Sequence, residues 1–179
     1  MISAAALAWG RRERKRFERR ARGDNHHWWY RGQIALAFCE PPKAPIDRTG
    51  WGEGLWDGEP DFERWQHAGL ACVAMRQHGG AWCGYVNAPK GHPWRAVGFG
   101  DIDVHVHGGL TYSQQVGADH WLGFDCNHAW DLAPGRVALL KALGPMMRGL
   151  PPATYRDLTY VRANVEALAE QAASAWQVD

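Results

Sequence analysis

From Leu70 onward, apolar and polar positions fall into short runs with the spacing of strands. Leu70–Gln77 and Ala81–Asn87 are largely apolar and are separated by His78-Gly79-Gly80, which predicts a hairpin. The stretch Asp101-Ile102-Asp103-Val104-His105-Val106-His107-Gly108-Gly109 alternates strictly. Successive side chains of a strand leave on opposite faces. A strand here would line one face with Asp101, Asp103, His105 and His107 and the other with Ile102, Val104 and Val106. Leu110–Gln114 and His120–Cys126 complete the predicted strands.

The period then changes. Leu158, Val161, Val165, Leu168 and Ala172 recur at three- and four-residue spacing, which predicts an amphipathic helix of about five turns. Thr154 with Asp157 resembles a capping box with Asp in place of Glu or Gln. A second helical segment runs from Pro134-Gly135 to Arg148 and is broken at Gly144-Pro145. Strands followed by helices predict an α+β fold: a central antiparallel sheet of about four or five strands with C-terminal amphipathic helices.

The N-terminal quarter is less regular. Arg11 to Arg22 holds eight basic and two acidic residues, in a chain whose net charge is +1, so the remainder is acidic. Ala4–Ala21 contains good helix formers, and residues 1–25 are expected to form a basic helix or arm ahead of one α+β domain at 26–179. The arm reads first as a solvated helical face, and second as a contact for nucleic acid or an acidic protein. Residues 26–38 fit a helix or a strand. Glu40–Trp65 reads as an irregular connection ending in a short helical turn at Glu59–Trp65.

Composition narrows the class. With 46% apolar and 22% charged residues among 179, this is a globular chain long enough to bury a core. No run reaches the roughly 20 apolar residues that cross a bilayer. The short apolar stretch Ala4–Trp9 precedes the positive charges instead of following them, unlike a secretory signal. Cys39, Cys72, Cys83 and Cys126 are scattered and form no zinc-knuckle pair, so reduced thiols in a cytoplasmic protein are expected. The eleven Trp include Trp28, Trp29, Trp51, Trp56 and Trp94 among glycines, prolines and charges, where core packing competes with partner contacts.

Gly84-Tyr85-Val86, Gly91-His92-Pro93, the Asp101-x-Asp103-x-His105-x-His107-Gly-Gly-Leu-Thr run and Gly123-Phe124-Asp125-Cys126-x-His128-x-x-Asp131 together carry a resemblance. They resemble a family of small uncharacterised bacteriophage and bacterial proteins, over Leu70–Asp131 and the Tyr155-Arg156-Asp157-x-x-Tyr160-Val161 block. The resemblance implies a phage or bacterial origin, with the host cytoplasm as location if phage-encoded, and attaches no activity. His105 departs from the pattern, which more often has a carboxylate or small residue there, so His107 is the stronger of the two histidines.

Chemistry is therefore argued from side chains. His92, the Asp101–His107 run, and His120, Asp125, His128 and Asp131 are potential ligands. Mixed imidazole and carboxylate ligation suits Zn, Mn or Fe, and a bound metal acidifies water for attack on a phosphate or acyl centre. Asp103, His107 and His128 are the expected metal ligands and Asp101 or Asp125 the expected base; no nucleotide cofactor is predicted. His92, His105, His120, Asp131 and Cys126 are further candidates, Cys126 as a thiol nucleophile beside His128. The same residues have plainer readings: an exposed polar strand face, a turn shaped by His92-Pro93, and caps at Asp125 and Asp131. The expected function is a metal-assisted hydrolase of a phosphate-containing or nucleic-acid substrate. The alternative is a non-catalytic binding protein, a phage-encoded inhibitor or anti-defence protein that occupies a host protein's surface.

Overall fold

The computed structural model describes residues 45–142 and 153–176. The basic segment Arg11–Arg22, the 26–38 run and the Gly144-Pro145 break lie outside them. Five strands form one antiparallel sheet: β1 (Phe62–His67), β2 (Leu70–Arg76), β3 (Trp82–Ala88), β4 (Tyr112–Val116) and β5 (Asp119–Asp125), in the order β1-β2-β3-β5-β4. Among the described residues two helices follow, α1 (Pro134–Ala142) and α2 (Leu158–Trp176). The α+β architecture is the one the hydrophobic pattern predicts.

The sheet buries both faces. Leu70, Cys72, Ala74, Trp82, Val86, Leu122 and Phe124 pack with Val161, Val165, Leu168, Ala169 and Ala172 of α2. These helix residues recur at the three- and four-residue spacing seen in the sequence. Gly84 lets α2 approach, because a Cβ there would stand 2.4 Å from Val165 Cγ2. On the opposite face Val73, Met75, Cys83, Tyr85, Val116 and Trp121 form a second cluster.

Two elements differ from expectation. Glu59–Trp65 is not a helical turn: Phe62 begins β1, whose Arg64 and Trp65 pair with Val73 and Cys72. The β1–β2 connection is the two-residue loop Ala68-Gly69, with φ of 49° and 78°. Two positive φ values mark the primed hairpin turn, but Ala at the first position carries none of the Asn or Asp signal that announces it. A 3₁₀ turn (Leu55–Gly58) precedes this strand.

The second difference concerns the alternating run. Asp101 ends a 3₁₀ turn (Phe99–Asp101), and residues 102–105 are extended but join no sheet among the described residues. They run along α2. Gln171 accepts from the His105 N–H at 2.8 Å and donates to its carbonyl at 3.2 Å, and Asn164 Oδ1 accepts from the His107 N–H at 3.0 Å. Helix side chains supply what a neighbouring strand would. The facing survives: Ile102 joins the core with Val104 and Val106 against it, whereas Asp101, Asp103 and His105 are exposed.

The start of α2 is also shifted from the expected box. Asp157 is the cap, its Oδ1 accepting from the Tyr160 N–H at 2.8 Å, and Glu59 Oε1 accepts from the Leu158 N–H at 2.8 Å. Thr154 instead forms a parallel bridge with Asp131.

Candidate metal centre

Three chain segments converge where the alternating run ends. The first is a turn closed by Gly109 N–H to Val106 O at 3.1 Å, with His107 at its first corner and Gly108 at its second. Gly108 has φ of 67°, as the second corner of a type II turn requires. The second is the loop after β5, from Cys126 to Asp131. It is braced by Arg136 of α1, which donates to Asp131 O at 2.8 Å, His128 O at 3.4 Å and Asn127 Oδ1 at 3.1 Å. The third is the approach to and first turn of α2, carrying Arg156 and Tyr160.

Asp131 is the hub. Its side chain is 1% exposed, yet both carboxylate oxygens are used. Oδ2 lies 2.7 Å from His107 Nε2 and 3.1 Å from His128 Nδ1, and accepts from the His128 N–H at 3.0 Å. Oδ1 accepts from Arg156 Nε at 3.0 Å. Burial alone would push this carboxyl up. The hydrogen bonds from His107, Arg156 and the His128 amide outweigh it and hold the group at about 2, so Asp131 is a carboxylate throughout the neutral range.

The two imidazoles face each other across that oxygen, with His128 Nδ1 3.4 Å from His107 Nε2. His107 is 11% exposed and its Nδ1 lies 3.0 Å from Tyr160 OH. His128 is 36% exposed and its ring lies against Gly108, where a Cβ would stand 2.3 Å from Cε1. His107 Nε2, His128 Nδ1 and Asp131 Oδ2 all lie within 4.8 Å of one another, so the three could hold a metal ion. Ligand atoms around a tetrahedral ion with bonds of about 2.0–2.1 Å are roughly 3.3 Å apart, close to the observed separations. Tyr160 and Arg156 occupy the outward atoms of His107 and Asp131, as outer partners do in metal sites.

Of the expected ligands, His107 and His128 thus come together, and Asp131, counted among the further candidates, completes the group. Asp103 does not belong to it. It is exposed on the extended run, four residues upstream, because the run leaves the sheet to follow α2. Asp101 lies farther still, at the 3₁₀ turn. Asp125 braces a turn: its carboxylate accepts from Thr111 Oγ1 at 2.8 Å and the Asn127 N–H at 3.0 Å.

The remaining candidates have structural partners. His92 is buried; its Nδ1 accepts from the Trp94 N–H at 3.1 Å, so Nε2 carries the proton donated to Ala172 O at 2.9 Å. His120 is buried with Nε2 2.9 Å from Ser113 Oγ, and burial, then Arg95 and His92, lower its pKa. His105 contributes its backbone to Gln171 and leaves its side chain exposed. Cys126 belongs to the sheet–helix core, and burial pushes its thiol well above the ordinary range, away from a reactive thiolate.

Arg156, Tyr160 and Arg136 were not singled out for the site from the sequence. The available signal was the Tyr155-Arg156-Asp157-x-x-Tyr160 block, which places polar side chains around the start of a helix otherwise patterned for packing. No helix among the described residues is long and apolar enough to cross a membrane. No protein-family model matches the chain, and neither the curated proteins nor the solved structures hold a match to it.

Proposed function

We propose that His107, His128 and Asp131 bind one divalent transition metal and that the protein is a metal-assisted hydrolase of phosphate esters. The observation that carries this is the convergence of two imidazole nitrogens and one carboxylate oxygen on a single point, with the outward atoms of His107 and Asp131 already held. Three protein ligands with a further position open to water are the arrangement of catalytic sites; structural sites are closed by a fourth ligand. A metal there would supply a Lewis acid and acidify water. Two histidines and one carboxylate suit Zn, Mn or Fe.

The chain's own residues have defined tasks in this reading. Tyr160 sets the His107 ring so that Nε2 faces inward. Arg156 takes one oxygen of Asp131 and leaves the other to the metal. Gly108 leaves room for the His128 ring. In the overall reaction a water oxygen bonds to phosphorus, the P–O bond to the alcohol breaks, and one water proton ends on the departing alcohol oxygen.

The test is metal content in tag-free protein after incubation with one equivalent of Zn, Mn or Fe, beside His107→Ala and Asp131→Asn. The expected result is near-stoichiometric metal in the wild type, little in either variant, and metal-dependent hydrolysis of an aryl phosphodiester by the wild type alone. Folded wild-type protein that retains no metal would overturn the reading. It would favour the binding-protein alternative, which the exposure of Trp130, Phe99 and Leu55 supports.

A further inference from the structure

Two arginines stand at the centre, and they are used differently. Arg136 spends its guanidinium on the carbonyls of His128 and Asp131 and on Asn127 Oδ1, so it braces the loop. Arg156 engages through Nε alone, on Asp131 Oδ1 at 3.0 Å. Its guanidinium carbon lies 4.9 Å from the centroid of the Tyr160 ring, so the group also packs against that ring. Its side chain remains 28% exposed, and its Nη1 and Nη2 make no hydrogen bond among the described residues.

We infer that Arg156 is the anion-binding residue of this centre, and that the ligand it receives there is a phosphoryl group. The inference rests on the metal centre proposed above and names the substrate contact of that same site. One carboxylate, Asp131, joins the two parts: one oxygen faces the imidazoles and the other holds Arg156. The inference requires that a group bound at the open metal position reach the unspent Nη edge, which the shared carboxylate ties to the same site. That edge is a fork of N–H donors matched to two oxygens of one tetrahedral anion.

Charge supports the same ligand. A dication is only half neutralised by Asp131, and Arg156 adds a further positive charge. The centre thus keeps a positive excess that an uncharged ester or amide would leave unanswered and a phosphate dianion or diester would meet. The guanidinium is anchored before any ligand arrives, so little ordering is required on binding.

The probe is inorganic phosphate, titrated calorimetrically into zinc-loaded wild type, Arg156→Gln and Arg156→Lys, with zinc content measured on each sample. The expected result is phosphate binding by the wild type, weakened on the order of tenfold or more in Arg156→Gln, the effect of losing one charge-assisted contact. Arg156→Lys keeps the charge but not the fork and falls between them, with zinc content equal in all three. Equal phosphate affinity in the wild type and Arg156→Gln overturns the assignment while leaving the metal centre intact. So does zinc loss that parallels phosphate loss, which would make Arg156 a positioning residue for Asp131. Zinc-loaded wild type that ignores phosphate overturns the substrate class. A wild type that holds no zinc overturns this inference and the hydrolase reading together.

Discussion

Tyr155 and Arg156 are neighbours in sequence but enter two different polar clusters. Tyr155 reaches Glu59 Oε2 at 2.5 Å and joins Arg76, whose side chain is fully buried. Every nitrogen of that guanidinium is engaged: Nε with Asp61 at 2.9 Å, Nη2 with Glu59 at 2.6 Å, and Nη1 with Tyr155 and Gly80 O. The carboxylates are equally occupied, by Arg48, the Ile46 N–H, the Leu158 N–H and Trp82. Arg156 instead enters a cluster where two imidazoles share one oxygen and donor atoms remain over. The first cluster is closed, with charges matched and donors spent. The second is organised but incomplete, which is what a site for a ligand requires and a structural latch does not. What separates the two clusters is the donors left unsatisfied, more than burial or composition.

The largest effect is expected from Arg76→Met. It leaves Glu59 and Asp61 without their buried cation, a loss on the order of 3–5 kcal/mol. Urea unfolding should show this, while metal bound per folded molecule stays at the wild-type level. Metal lost by the folded fraction would break the distinction between latch and site.

Asp131→Asn comes next. It removes the carboxylate from His107, His128 and Arg156, at a cost of about 2–3 kcal/mol for hydrogen bonds to a charged group, and abolishes metal binding. The wild type carries the matching pH signature without metal. The folded carboxyl titrates at about 2 against an ordinary 3.8, so its contribution is complete above the higher value and drains away as pH falls towards the lower. Its full size is about 2 kcal/mol. Comparing wild type and Asp131→Asn by urea unfolding between pH 6 and pH 2 checks the sign, since the gap should close on acidification. A constant gap would show that the carboxylate charge is irrelevant.

Gly108→Ala sharpens the metal-site side alone. The added methyl meets the His128 ring, and φ of 67° is unfavourable for Ala by roughly 1–2 kcal/mol. Weaker zinc binding with the Arg76 cluster intact in the folded protein is expected, read by zinc titration and near-ultraviolet circular dichroism under native conditions. The smallest effect belongs far from both clusters. Ala68→Asn relieves a positive φ in the β1–β2 turn and should raise stability by about 0.5–1 kcal/mol. A lowered unfolding midpoint would show that the turn tolerates Ala without strain.

The pattern of this chain was legible wherever local physics sets it. The apolar spacing of Val161, Val165, Leu168 and Ala172 names the face of α2, because a helix repeats every 3.6 residues whatever it packs against. The runs around His78-Gly79-Gly80 and His120–Cys126 gave β2, β3 and β5 to within a residue or two. β1 was not legible, since its hairpin turn uses Ala where Asn or Asp would have announced it.

The site divides the same way. His107 and His128 stood out in the sequence as metal-binding types, and the alternating run correctly separated inward Ile102, Val104 and Val106 from outward Asp101, Asp103 and His105. Which of these residues meet was a tertiary matter. A two-residue period fixes the facing of an extended segment but not its neighbour, and Asn164 and Gln171 of α2 provide that neighbour here. Packing against α2 leaves Asp103 in solvent and carries His107 round a turn to Asp131, 24 residues away in sequence. Arg156 and Tyr160 come from farther along the chain, and only the docking of α2 on the sheet could bring them to the same carboxylate.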